Sequence, residues 1–152
     1  MNAGDALVLR DTTFDELDAI ASMEQGDAST TILPASVEQH REDFSRPDVI
    51  YKCIEQRGEV LGFVILVLDP DGLSLELKRI VVARPGRGYG TQAVRQVDAV
   101  ARGLDRDRIW LDVFEGNERA RHVYEVCGYS VFGDTELNGR RLLLYERLLE
   151  AP

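Results

Sequence analysis

The residues best placed to do chemistry lie between Arg84 and Thr91, where Gly86, Gly88 and Gly90 alternate with Arg87 and Tyr89. An apolar run, Leu75 to Val82, precedes them and a helix-like stretch follows, so the segment reads as strand, glycine turn, helix. Such a turn cradles anions. Glycine lets the backbone approach a ligand closely, and the unpaired N–H groups at a helix start point toward it. The helix dipole adds roughly half a positive charge there, and Arg84 and Arg87 add whole ones. A phosphate or pyrophosphate is the natural occupant. The spacing is not GxxxxGK[ST], and it gives GxGxG rather than GxGxxG, so neither a P-loop nor a dinucleotide-binding unit is favoured. The plain alternative is a tight turn with no ligand.

Other reactive side chains are scattered. Asp112 sits among apolar neighbours in Ile109 to Phe114, where burial raises a carboxyl pKa and suits it to act as a base near neutrality. Glu76 lies on the strand that leads to the glycine turn and could simply pair with Lys78. Tyr124 falls on the apolar stripe of a helix, with Ala120, Val123 and Cys127, as a core tyrosine does. Cys53, Cys127, His40 and His122 form no ligand cluster, so no metal site is expected. The cysteines read as reduced thiols, Cys127 and Trp110 as packing, and His122 as solvent-exposed.

With 27 acidic against 18 basic residues, the net charge is −9. That balance disfavours nucleic acid and anionic membranes, both of which call for a basic face. The longest apolar run, Val60 to Leu68, is far short of the ~20 residues of a membrane span, and Met1 to Asp5 lack a signal pattern. A cytoplasmic protein with a single domain over residues 1–152 is the expectation. The acid is uneven: residues 1–60 hold 13 acidic and 5 basic residues, residues 61–152 hold 14 and 13. The first part is either a solvated acidic face or a surface that draws a cation.

These residues need a frame to hold them. Leu7 to Arg10 predicts a strand. Thr13 and Glu16 form a capping box ahead of a helix carrying Phe14, Leu17, Ile20 and Ala21, which stops at Gly26. A loop over 27–34 and a second helix, Ala35 to Phe44, follow. Strands Val49 to Glu55 and Val60 to Leu68 flank Arg57-Gly58, and Asp69-Pro70-Asp71-Gly72 turns into a strand from Ser74 to Val82. A helix to Gly103, a strand Ile109 to Phe114 and a helix Asn117 to Cys127 come next. Strands near Tyr129 to Val131 and Leu142 to Tyr145 close an α/β order, β-α-α-β-β-β-α-β-α-β-β.

The glycine turn, followed about 27 residues later by Asn117 in the series Leu111-Asp112-Val113-Phe114-Glu115-Gly116-Asn117, and then by Tyr124 and Gly128-Tyr129, resembles the GNAT superfamily of N-acetyltransferases. The motifs cover about residues 74–130, and the element order covers the chain. The resemblance implies a mixed, mostly antiparallel sheet of six to seven strands, splayed at the fourth and fifth, with about four helices. It implies acetyl-CoA as co-substrate. The pantetheine arm would pair with Ile80, Val81 and Val82, an N–H near Val82 would polarise the thioester, and Arg87, Gly88, Tyr89, Gly90 and Thr91 would hold the pyrophosphate. Asn117 would bond the arm, or cap its helix, or both. Tyr124 would be the general acid beside sulfur, and the base would be Glu76, or Asp112, or no dedicated group of the protein. Pro85 departs from the family's usual Gln or Arg and removes one N–H donor, a loss that Arg84 could offset.

The resemblance implies an acceptor side built largely by the first two helices, their loop and the hairpin that ends in the last strand, and the helices here are rich in Asp15, Asp18, Glu24, Asp27, Glu38, Glu42 and Asp43. His40 lies in that region as one candidate contact. The acceptor implied is a primary amine on a small cationic molecule. A protein amino group is the close alternative, and a non-catalytic CoA-binding domain the competitor from another class. A homodimer is compatible with the resemblance.

Overall fold

The computed structural model describes residues 6–27 and 34–150; Met1 to Asp5 and most of the predicted 27–34 loop lie outside them. The first strand, β1, is Val8–Asp11. The capping box forms: the Thr13 N–H donates to Glu16 Oε1 at 2.9 Å, and a 3₁₀ turn, Phe14–Glu16, opens α1, Leu17–Gln25. Helix α2, Val37–Phe44, starts two residues later than Ala35 because Ser36 caps it, its Oγ accepting the Gln39 N–H at 3.1 Å. A hairpin joins β2, Val49–Gln56, to β3, Glu59–Leu68. Strand β4, Ser74–Val82, follows a turn in which Asp71 Oδ1 accepts the N–H groups of Leu73 and Ser74. Then come α3, Tyr89–Gly103; β5, Arg108–Phe114; and α4, Glu118–Val126.

The last two strands run well beyond their predicted cores, as β6, Ser130–Leu137, and β7, Arg140–Leu148. The cause is local. Asn138 and Gly139 both take left-handed φ, 52° and 77°, the two-residue turn that matches strand twist and lets a hairpin stay paired to its tip.

The seven strands form one sheet in the order β1-β2-β3-β4-β5-β7-β6. Every neighbouring pair is antiparallel except β4 and β5. Alternation along the strands sorts side chains to two faces. One face carries Leu66, Leu75, Leu77, Leu111 and Tyr145 and packs on Val94 and Val97 of α3 and Tyr124 of α4. The other carries Tyr51, Cys53, Phe63, Ile65 and Val81 under Leu17 and Ile20 of α1. Trp110 corrects its predicted place in the core: it is half-buried on the second face, and its indole N–H donates to Asp69 Oδ2 at 3.1 Å. Cys53 and Cys127 are buried free thiols, and His122 is exposed. Among the described residues no helix is long and apolar enough to cross a membrane.

Candidate active site

Strands β4 and β5 begin as partners and then part. Their ladder holds three pairs, Ser74–Arg108, Leu75–Ile109 and Glu76–Trp110. Just beyond, β4 gains a residue on β3: Leu77 faces Leu66 and Arg79 faces Ile65, so Lys78 is the extra residue of a bulge. A bulge bends its strand and increases its twist, and here it coincides with the loss of pairing. The rest of β5 keeps its antiparallel partner β7, Leu111 to Phe114 opposite Tyr145 to Leu142. A cleft of about 440 Å³ opens between the parted strands, floored by Tyr124 and closed at its far side by Arg140 and Leu142.

The edge of β4 is not uniform along this cleft. The Ala83 N–H donates to Leu61 O at 2.7 Å, and Val82 sits opposite Gly62. By the alternation of an antiparallel ladder, Val82 and Ile80 therefore turn their backbone N–H and C=O away from β3 and into the cleft. Val81, between them, faces its partner Phe63 and buries its side chain under α1. Gly62 is required at this crossing, because a Cβ there would overlap the Val81 carbonyl.

At the open end of the cleft the chain enters the glycine turn. Gly86 and Gly88 take φ of 88° and 77°, and Gly88 leads directly into α3. The first intrahelical bond here is Gln92 N–H to Gly88 O, 3.1 Å. The amides of Tyr89, Gly90 and Thr91 precede it and point out of the helix start. Arg87 is exposed on the turn. Arg119, from α4, brings its guanidinium beside Gly86. Arg84, the residue that could offset Pro85, pairs with Glu59 on the surface at 2.5 Å.

Tyr124 and two carboxylates supply the titratable groups. Tyr124 packs against Tyr129 and Tyr145, ring centroids 6.0 and 6.2 Å apart. Burial pushes its phenol up to about 12, against the pull of the nearby Arg79 charge. Asp112 lines the cleft mouth, in reach of solvent yet walled by the strands, and desolvation raises its carboxyl. Glu76 is half-buried and is the last residue of β4 paired to β5; desolvation raises it first, then the charge of Asp112. Both carboxylates share the α1 face of the sheet. Asn117 caps α4, its Oδ1 accepting the Ala120 N–H at 3.2 Å, and lines the cleft as well.

Four residues outside the sequence expectations, or differently placed from them, form a buried polar chain behind the cleft. The bulge swings Arg79 to the α1 face, where its Nε donates to Glu24 Oε2 at 2.9 Å and Nη2 lies 3.5 Å from Asp27. Glu24 Oε1 accepts the Ala35 N–H at 2.7 Å and His40 Nε2 at 3.1 Å. His40 Nδ1 meets the Tyr51 hydroxyl at 2.7 Å. Burial opposes the Glu24 charge, but bonds from His40, Arg79 and Ala35 outweigh it and hold the carboxyl at about 2. His40 is 1% exposed, so it is a member of this chain of bonds and out of a substrate's reach. Glu24 and Asp27 are likewise engaged by Arg79 and leave the set of acids free to draw in a cation. Arg79 itself lines the cleft. Its signal in the sequence was an arginine inside an apolar strand.

Comparison with known proteins agrees with this fold. The family model for acetyltransferases (GNAT) matches residues 17–129. An uncharacterized N-acetyltransferase in the pepI 3' region of Lactobacillus delbrueckii subsp. lactis is 26% identical over 100 residues, 60% of this chain and 58% of that relative. A chimera of the spermidine N-acetyltransferase SpeG from Vibrio cholerae and hSSAT superposes with a TM-score of 0.81 at 23% identity, over 93% of this chain and 95% of that one. The Vibrio cholerae spermidine N-acetyltransferase in complex with CoA and spermine gives 0.80 at 20% identity, with the same coverage.

Proposed function

The chain belongs to the GNAT acetyltransferase family, and on that footing we propose that residues 1–152 form one domain that moves the acetyl group of acetyl-CoA directly to a primary amine on a small cationic molecule. The observation that carries the reading is the broken β4–β5 ladder. The backbone groups that Ile80 and Val82 turn into the cleft suit an extended amide arm, which can bond to them as a strand would. The amides of Tyr89, Gly90 and Thr91, with Arg87 and Arg119 close by, suit a pyrophosphate. When bound, acetyl-CoA supplies the acetyl thioester and a thiol leaving group.

The chain's own residues handle two protons. An alkyl ammonium of pKa about 10 must lose one before the nitrogen can attack. Glu76 or Asp112 accepts it, helped by a carboxyl raised above its ordinary value. The hydroxyl of Tyr124 gives a proton to the departing sulfur, and the Val82 N–H steadies charge on the carbonyl oxygen. The same two carboxylates favour a cationic acceptor, since an ammonium between them relieves their mutual repulsion. The spermidine N-acetyltransferases that share the fold act on amines of that class.

Thermal melting with acetyl-CoA, CoA, ATP and NADH in parallel tests the donor. A ligand at 100 times its Kd adds about 2.7 kcal/mol, or roughly 5–10 °C for a domain of this size. A rise with the two CoA ligands alone, followed by amine-dependent release of free thiol, is the expected result. Binding without release for any amine would leave a CoA-binding domain, and a rise with ATP or NADH alone would overturn the donor.

A further inference from the structure

Resting on that reading, we propose that Tyr145 is a positioning residue for Tyr124, its hydroxyl holding α4 at the rotation that keeps the Tyr124 phenol on the cleft floor. The Tyr124 hydroxyl makes no hydrogen bond among the described residues. Its place is therefore set by its ring neighbours and by the helix that carries it. Two rings pack on it, Tyr129 at 6.0 Å and Tyr145 at 6.2 Å, and they differ at their far ends. The Tyr129 hydroxyl is buried with no partner among the described residues. The Tyr145 hydroxyl donates to Glu125 Oε2 at 2.9 Å and accepts from Arg121 Nε at 3.1 Å.

Arg121 and Glu125 stand four residues apart on α4 and so share one side of it. Converging on a single oxygen of β7, they fix both the rotation of the helix about its axis and its height above the sheet. The anchor is firm: Tyr145 is 1% exposed and is paired to Leu111 of β5 and Val131 of β6. Arg121 also donates from Nη1 to Glu115 O at 3.0 Å, which ties the same clasp to the turn that ends in Asn117. Tyr124, one residue before Glu125, lies about 100° around the helix from it. With Cα atoms about 2.3 Å from the axis, a tyrosine hydroxyl stands roughly 8 Å out. A rotation of about 10° would carry it more than about 1 Å away from the sulfur it must reach, a misplacement that can cost about 10²-fold in rate.

The test compares Tyr145→Phe with Tyr129→Phe, using the best acceptor among putrescine, spermidine and 2-phenylethylamine and reading thiol release from acetyl-CoA. Both variants keep a ring against Tyr124; only the first opens the clasp. In Tyr145→Phe, kcat should fall by about tenfold or more, while KM for the amine and the CoA-induced rise in melting temperature stay as in the wild type. Tyr129→Phe should leave kcat unchanged. Glu125→Ala, an exposed change that keeps the fold whatever becomes of the buried variants, should lower kcat as well. Glu125→Gln, which still accepts the Tyr145 bond, should restore it. A clasp that serves stability alone would lower the melting temperature of Tyr145→Phe and leave kcat at the wild-type value wherever the variant is folded, and that result overturns the inference. An equal fall of kcat in Tyr145→Phe and Tyr129→Phe overturns it too. In both cases a loss of kcat in Tyr124→Phe leaves acetyl transfer through Tyr124 standing. Unchanged turnover in Tyr124→Phe, or donor binding with none of the three amines acetylated, overturns this inference and the reading it rests on.

Discussion

Strand β4 has polar groups on both sides of it, and the two sides are treated in opposite ways. Toward α1, the Arg79 guanidinium, the Glu24 carboxylate, the His40 ring and the Tyr51 hydroxyl close on one another within 3.1 Å at each step. Toward β5, Ile80 and Val82 turn backbone groups into a cleft with no strand to receive them. A buried polar group left without a partner costs stability, so the first arrangement holds the fold together, while the second leaves backbone donors and acceptors facing the cleft. The lesson concerns buried polarity in general: groups that close on one another mark structure, and an interrupted ladder in mid-sheet is the place to test for a ligand.

That contrast can be broken from the open side first. Tyr124→Phe should lower kcat by about 10²–10⁴-fold, the range for a lost general acid, while melting and the CoA-induced shift stay near wild type. A large drop in melting temperature instead would make Tyr124 part of the packing alone. From the closed side, Glu24→Ala removes one partner of a buried pair and strands Arg79, His40 and the Ala35 N–H. About 3–5 kcal/mol of stability should go, measured by urea unfolding, with thiol release persisting at temperatures where the variant is folded.

Acid should move the two sides in opposite senses. The Glu24 carboxyl is held at about 2 against an ordinary 4.5. Its contribution is complete above 4.5 and is lost as pH falls from there toward 2. Asp112 is raised above its ordinary 3.8, so its ionisation disfavours the fold at neutral pH and protonation relieves it. Melting curves from pH 7 to 3 should therefore show a steep loss in the wild type, a shallower one in Glu24→Gln from a lower start, and a small gain at pH 7 in Asp112→Asn. A wild-type acid profile unchanged by Glu24→Gln would take that carboxylate out of the closed network.

The smallest effect belongs to Gly88→Ala. The left-handed φ of 77° at the entrance to α3 penalises a side chain by about 1–2 kcal/mol, while the space around it is open. Stability should fall by that amount and the acetyl-CoA-induced rise in melting should shrink with it. Loss of the rise with unchanged stability would mean the position matters for contact and not for shape.

How much of this could be read from the residues depends on how far apart the partners are. The element order, the glycine turn ahead of α3 and the Asn117 cap are local patterns, and each stands where its spacing put it. The Asn138-Gly139 turn was equally local, and its dipeptide signal would have lengthened the last two strands. The Lys78 bulge is different. Nothing in Leu77-Lys78-Arg79 announces an extra residue; it exists only relative to Ile65 and Leu66 on β3. Because the bulge inverts the alternation, the direction of Arg79 was hidden with it, and so was its pairing with Glu24, 55 positions away. Trp110 misled for a related reason: an aromatic residue in an apolar strand looks like core unless one knows that α1 and α2 pack over β2, β3 and β4 on that face and leave β5 half-covered.

The parted strands carry one further consequence, in the kinetics of exchange with solvent. In a seven-stranded sheet the central strands ordinarily guard their amide protons longest, since releasing them requires the fold to open. Here β4 and β5 lie near the middle of the order, yet the amides of Ile80 and Val82 border the cleft. They should take up deuterium within the time expected of an edge strand, while Val81, one residue away and turned to β3, resists for as long as the core does. Filling the cleft would erase the difference, so that a stripe of alternate fast and slow amides along a single strand becomes uniformly slow.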